Sequence, residues 1–140
     1  MSDASLLLEE TYQKKENEQH NQTYILEEQL LRLVRTGDCE GFKRFTYSES
    51  NFHIGVTGST ALRQLKNNII ITTTLCTRAA IEGGLDYDTA YQLSDYFIQS
   101  SERLTSADRL TDLLGKVSYT FAEKVAQSKT PSPESADGGY

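Results

Sequence analysis

One stretch near the middle constrains the fold of this 140-residue chain more than any other: residues 62–98, LRQLKNNIIITTTLCTRAAIEGGLDYDTAYQLSDYFI. From Ser59 or Thr60 to the pair Gly83 and Gly84, about two dozen residues pass without a turn signal, too many for one strand. The β-branched run at 69–74 carries strand propensity. Length and flanking pattern nevertheless predict a helix, with Leu62, Leu65, Ile69, Thr72, Cys76 and Ala79 forming one stripe at spacings of three and four. The glycine pair ends it. Asp86 or Asp88 then caps a second helix reaching about Arg103, with Ala90, Leu93, Phe97 and Ile98 turned inward.

The rest of the chain reads as helix too. Leu6, Leu7, Leu8 and Tyr12 suit a helix over residues 5–16, which the polar segment 16–22 (ENEQHNQ) is expected to kink or interrupt. Asn21 would cap a further helix, from Gln22 to about Thr36. Leu26, Leu30 and Leu33 share one of its faces, flanked by Leu31 and Val34, and Gly37 is the natural stop. Asp38 would cap a short helix from Cys39 to about Tyr47, with Phe42 and Phe45 inward, and residues 48–58 read as a loop. Residues 105–108 (TSAD) resemble a capping box with a shortened acid. A last helix follows, with Leu110, Leu113, Leu114, Val117, Phe121 and Val125 on its apolar face. No internal repeat and no alternating run suggests a sheet. The expectation is an all-α single domain over residues 1–128, of five or six helices, and a disordered tail over 129–140 that holds both prolines.

Composition narrows the function classes. Net charge is -6 and the pI about 4.9. The first twenty residues hold Asp3, Glu9, Glu10, Glu16 and Glu18 against Lys14 and Lys15. Phosphate contacts need clustered Lys and Arg, so direct nucleic-acid contact by this chain is not expected. Cys39 and Cys76 lie far apart, in no metal-like spacing, and read as reduced thiols. The longest apolar runs, such as 6–8 and 69–71, fall far short of a membrane span, and no signal-peptide pattern opens the chain. A cytoplasmic protein without membrane contact is the expectation. His20 and His53 have no HExxH-like companion and no cysteine partner, so neither a metal site nor a cofactor is expected. Ser94 and Asp95 have no histidine near in sequence, and residues 55–58 (GVTG) lack the ending of a phosphate loop. No acid, base, nucleophile and orienting group assemble, so the reading is not an enzyme.

Three pieces carry a resemblance: LRQLKN (62–67), TRAAIEGGL (77–85) and AYQLSDYFI (90–98). They look like the helical region that precedes the DNA-binding domain in AraC-type transcription regulators of Gram-positive bacteria. ENEQHN (16–21), EEQLLRLVRTGD (27–38) and FAEKVAQSK (121–129) also resemble that region. The resemblance covers about residues 9–129 and is most specific for RAAIEGGL followed by YQLSD. It implies a role in transcription regulation: effector sensing, dimerisation, or both. In the family this region leads into a pair of helix-turn-helix units, and these 140 residues hold nothing like a basic recognition helix. The resemblance therefore implies either a piece of a longer regulator or a protein that has lost its DNA-binding half. DNA binding would come only through that further domain. A homo-oligomer, or a pair with a full-length regulator, is the expected partnership.

The residues themselves offer one candidate constellation. Arg63, Lys66, Asn67, Arg78 and Glu82 lie on the long helix, and Asp95 and Tyr96 on the next. Between antiparallel helices they form either a grip for a small anionic effector, with Arg supplying two-point contacts, or a polar network that fixes helix register. The network is the weightier reading, with Arg78 satisfied by Glu82 or Asp95. Thr72, Thr73, Thr74 and Thr77 could line a polar groove, but helical threonines more often bond back to their own helix. Small residues at Ala79, Ala80, Gly83 and Gly84 allow close helix approach, within the chain or by a partner. The alternative to a regulator is a structural or adaptor helical domain without any small-molecule effector.

Overall fold

Burial decides the conflict at residues 69–74: Ile69 and Thr73 are wholly enclosed, and the β-branched run sits inside one long helix. The computed structural model describes residues 3–45 and 57–129, and these form α1 (Asp3–Thr36), α2 (Gly41–Phe45), α3 (Ala61–Glu82), α4 (Tyr87–Arg103) and α5 (Ala107–Lys129). No strand occurs among the described residues, and the fold is all-α. His53, most of the expected 48–58 loop and the tail beyond Lys129 lie outside the described residues.

Caps explain most of the boundaries. The Thr60 hydroxyl accepts from the Arg63 N–H at 3.1 Å and opens α3. The Asp86 carboxylate accepts from the Thr89 N–H at 3.0 Å and opens α4, settling the choice between Asp86 and Asp88. At α5 the capping hydroxyl is Ser106, which accepts from Arg109, so the expected pairing of Thr105 with Asp108 is not the one formed. Two helices end in the same six-residue device. After α1, the Asp38 N–H donates to the Leu33 carbonyl and the Gly37 N–H to Val34. After α3, Leu85 donates to Ala80 and Gly84 to Ile81. This double bond pattern satisfies the free carbonyls of the last turn and needs a residue at positive φ. Gly37 at φ 68° and Gly84 at φ 107° supply it.

Three expectations need correction. First, α1 is unbroken over 34 residues, with no interruption at 16–22. That segment is polar but has neither Pro nor Gly. Asn and His cost a helix only a few tenths of a kcal/mol each, so nothing there stops it, and Asn21 is an interior residue and not a cap. Second, α2 opens at Gly41, two residues later than the expected start at Cys39, with Phe42 and Phe45 buried as expected; the expected end near Tyr47 lies outside the described residues. Third, Ile69, Cys76 and Ala79 of the expected α3 stripe are buried, but Leu62, Leu65 and Thr72 are only half-buried, and Asn68, Thr73, Thr77 and Ala80 are buried in addition. A helix that packs on α1, α4 and α5 together buries a wider, rotated arc than one stripe.

The helices share a clear polarity. Gly37 lies against the Ala126 backbone, and the Lys129 ammonium donates to the Thr36 carbonyl at 3.1 Å. Gly83 lies against the Arg35 backbone, and Arg35 Nε pairs with Glu82 at 3.0 Å. The C-terminal ends of α1, α3 and α5 therefore meet at one end of the bundle. Gathering three helix C-termini concentrates partial negative charge, which Lys129 and Arg35 offset. Helix α4 runs the other way: Lys66 near the start of α3 reaches the Glu102 carbonyl near the end of α4. The core between them holds Val34, Ile69, Cys76, Val117, Phe121 and Val125, all fully enclosed. Phe121 lies 6.0 Å from the Phe97 ring, and Phe42 meets Tyr119 edge-on at 5.8 Å.

The glycines yield a contrasting pair of expected outcomes. A Cβ at Gly83 would collide with the Arg35 carbonyl oxygen, which is backbone and cannot swing aside. A Cβ at Gly115 would meet nothing within 4 Å in the middle of α5. Gly83→Ala should destabilise the chain by on the order of 1–3 kcal/mol, whereas Gly115→Ala should stabilise it by about 0.5–1 kcal/mol through helix propensity. Urea unfolding of the two variants checks both signs.

Candidate functional site

The seven residues singled out in the sequence all sit on α3 and α4, but the structure does not gather them. Arg63 Nε donates to Asn67 Oδ1 at 3.1 Å, one turn along the same helix. Asn67 Nδ2 in turn donates to the Thr57 carbonyl at 3.2 Å. Lys66 satisfies the Glu102 carbonyl, one of the free acceptors at a helix end. Arg78 lies over the ring of Tyr91, 5.2 Å from its centroid, in a cation–π contact. Glu82 pairs with Arg35 of α1. Asp95 is exposed, and Tyr96 is 61% exposed with its ring edge against Phe97.

Arg78 is therefore satisfied by neither Glu82 nor Asp95. The reason is geometric. Arg35 arrives from α1 where Gly83 lets the α1 backbone touch α3, so Glu82 turns to that side. Arg78, exposed on the α4 side, takes the aromatic face that Tyr91 offers. At 1.5 Å per residue, Arg63 and Glu82 stand about 28 Å apart along α3. No single small anion spans that distance. The polar residues instead make separate local ties: one at the start of α3, one at the end of α4, one between α3 and α4, one between α1 and α3.

Sequence reasoning missed several of the partners. Gln64 is the main tie at the start of α3: its Oε1 accepts from the N–H groups of Thr57 at 2.6 Å and Gly58 at 2.9 Å, while its Nε2 donates to Asn68. Gly58 is close enough to the Gln64 backbone that a Cβ would stand 2.6 Å from its nitrogen, which accounts for the glycine. Arg35 and Lys129 gave no signal beyond their charge, because their partners lie 47 and 93 residues away. A surface concavity of about 300 Å³ lined by Arg32, Asp38 and Arg44, with Leu33 and Phe45 beneath, contains none of the seven candidates.

Two of the four threonines, Thr74 and Thr77, bond back to their own helix. Thr74 donates back to Ile70 at 2.8 Å, and Thr77 to Thr73 at 2.7 Å. Thr73 is wholly buried, and its hydroxyl has no partner. Beside it Cys76 is equally enclosed, and burial, then the nearby Glu27 carboxylate, pushes its thiol up to about 12. Cys39 is half-buried and also raised, by burial first and then by Glu123, Asp38 and Glu40. Neither thiol is a ready nucleophile at neutral pH. Among the described residues, no group of three or more His, Cys, Asp or Glu side chains is placed to hold a metal ion, and no helix is long and apolar enough to cross a membrane.

Against known proteins the chain stands apart: no family model matches it, and neither a curated protein nor a solved structure shows significant similarity.

Two outcomes follow from these placements. A buried hydroxyl without a partner costs stability, and valine fills nearly the same volume without it. Thr73→Val should therefore raise the melting temperature, corresponding to about 1 kcal/mol; a loss of stability would mean the hydroxyl has a partner. Glu27 is held above the usual carboxylate range by burial, then by Glu28. Its folded form binds the proton more tightly than the unfolded form, so its contribution to stability falls as pH rises from its unfolded pKa through its folded one. Glu27→Gln should thus be the more stable chain at pH 7, with the difference shrinking as pH drops below the carboxylate range. Thermal melts at both pH values check the sign.

Proposed function

We propose that this chain is the regulatory, non-DNA-binding module of an AraC-type transcription regulator of the cytoplasm. It acts as a helical coupler that sets how attached or associated DNA-binding units are presented. The observation that carries this reading is where the resembling segments lie. Residues 62–98 build the central α3 and its hairpin with α4, and residues 121–129 build the end of α5 that is tied to α1 through Gly37 and Lys129. A unit following α5 would leave from the point where α1, α3 and α5 end together. A shift of α1 against α3 would then be felt at that exit, because three packed helix ends cannot move independently.

The dispersal of Arg63, Lys66, Asn67, Arg78, Glu82, Asp95 and Tyr96 favours coupling through helix contacts over sensing of a small anion at α3. The alternative reading, an adaptor domain without an effector, draws support from the exposed aromatics of α4: Tyr87, Tyr91 and Tyr96 all face solvent, and tyrosine is enriched in interface cores. Neither reading gives the chain an enzymatic role.

Co-expression with a full-length relative that carries the helix-turn-helix units tests the regulatory reading. Promoter occupancy by that relative should fall by severalfold when this chain is present. Unchanged occupancy would contradict it. A thermal-shift screen with phosphorylated metabolites and nucleotides bears on the effector: a ligand bound only by the folded state must raise the melting temperature, and no shift with any of them would leave the adaptor.

A further inference from the structure

From Leu6 to Ile25 the apolar side chains of α1 are uncovered. Leu7 is 63% exposed and Ile25 56%, and Leu6, Leu8, Tyr12 and Tyr24 are exposed as well. Burial begins at Leu26. At 1.5 Å per residue, an arm of about 35 Å stands clear of the bundle. An open groove along it is lined by α1 residues alone, among them Lys14, Glu18 and Asn21, so no second element among the described residues lines that side. An isolated helix of this length and polarity is marginal in water and gains stability from a partner surface.

The arm is matched to itself. Leu7, Thr11, Lys14, Glu18, Asn21 and Ile25 follow at steps of four and three, which makes one seam along a helix. They are mirror-placed about Glu16: Leu7 and Ile25 are equidistant from it, as are Thr11 and Asn21, and Lys14 and Glu18. Two arms laid antiparallel would set Leu7 against Ile25, Thr11 against Asn21, and Lys14 against Glu18, each contact made twice by symmetry. Leu8 and Tyr24 are equidistant as well and flank the seam. Glu16 falls on the opposite side of the helix and does not meet its own copy. Neither Lys14 nor Glu18 has an ion-pair partner within the described residues of its own chain. Leu26, Leu30 and Val34, which face the bundle, lie roughly opposite the seam at 100° per residue, so the two bundles would stand on opposite sides of the paired arms without collision.

We infer that the arm of α1 docks antiparallel on the same arm of a second copy of this chain. The overlap of residues 7–25 is about 27 Å long, and burying it removes on the order of 1,000 Å² in total, the lower bound for a specific association. The pairing is therefore weak, reversible and sensitive to salt. It names a partner surface within the regulatory reading but rests on the arm alone, so its failure leaves the transcription test untouched, and the reverse holds too.

Sedimentation velocity over a concentration series tests it. The wild-type chain should pass from monomer to dimer and dissociate more readily at 0.5 M salt. Lys14→Glu should weaken the dimer about tenfold or more, Glu18→Lys likewise, and the double variant should recover it, because reversing both charges restores both pairs. In a Cys39→Ser background, Leu7→Cys mixed with Ile25→Cys should give a disulfide between copies. Positions 7, 14, 18 and 25 are exposed, so substitutions there leave the bundle folded. A monomer at every concentration would overturn the inference, and so would a dimer indifferent to the charge reversals or one that fails to cross-link.

Discussion

The junction where α1, α3 and α5 end together is the constraint on which the rest of the structure depends. Two backbone approaches make it: Gly37 against Ala126, and Gly83 against Arg35. Neither tolerates a Cβ without moving a backbone. Around these approaches the Arg35–Glu82 pair and the Lys129–Thr36 bond close the end polar groups. With α1 held there, only its last third needs to pack, and α3 becomes the helix that every long neighbour shares. That is why the interior of α3 carries Thr73, Cys76, Thr77, Ala79 and Ala80 in place of leucines: three neighbours approach it, and small side chains let them.

Adjacent glycines illustrate how one sequence signal can hide two physical causes. Gly84 is required by its backbone, at φ 107° with open space around it. Gly83 has an ordinary helical φ of -78° and is required by the α1 backbone pressed against it. The sequence shows a helix stop at this pair, but not that half of the pair also serves as a docking point for α1.

Much of the fold was legible because its signals are local. The caps at Thr60 and Asp86, the stops at Gly37 and Gly84, and the apolar faces of α4 and α5 all follow from residues within one or two turns. The unbroken α1 was not legible, since a polar run without Pro or Gly looks the same whether or not a helix passes through it. The candidate site was less legible still. Arg78, Glu82 and Asp95 are spaced as partners on paper, yet Glu82 is claimed by Arg35, far away in sequence, and Arg78 settles on Tyr91. Long-range ties such as Lys129 to Thr36 leave no local pattern to read. The polar residues of α3 hold neighbouring elements in place, and the large apolar and aromatic side chains left exposed include the tyrosines of α4 and the arm of α1.

Amide hydrogen exchange of the intact chain, followed peptide by peptide, tests this division most directly. The account has residues 26–36, α3 and the last half of α5 opening together, at the highest protection in the molecule. Residues 3–22 should exchange quickly in dilute solution and gain protection as concentration rises. Uniform protection along all of α1 at high dilution would contradict it, as would residues 26–36 exchanging independently of the end of α5.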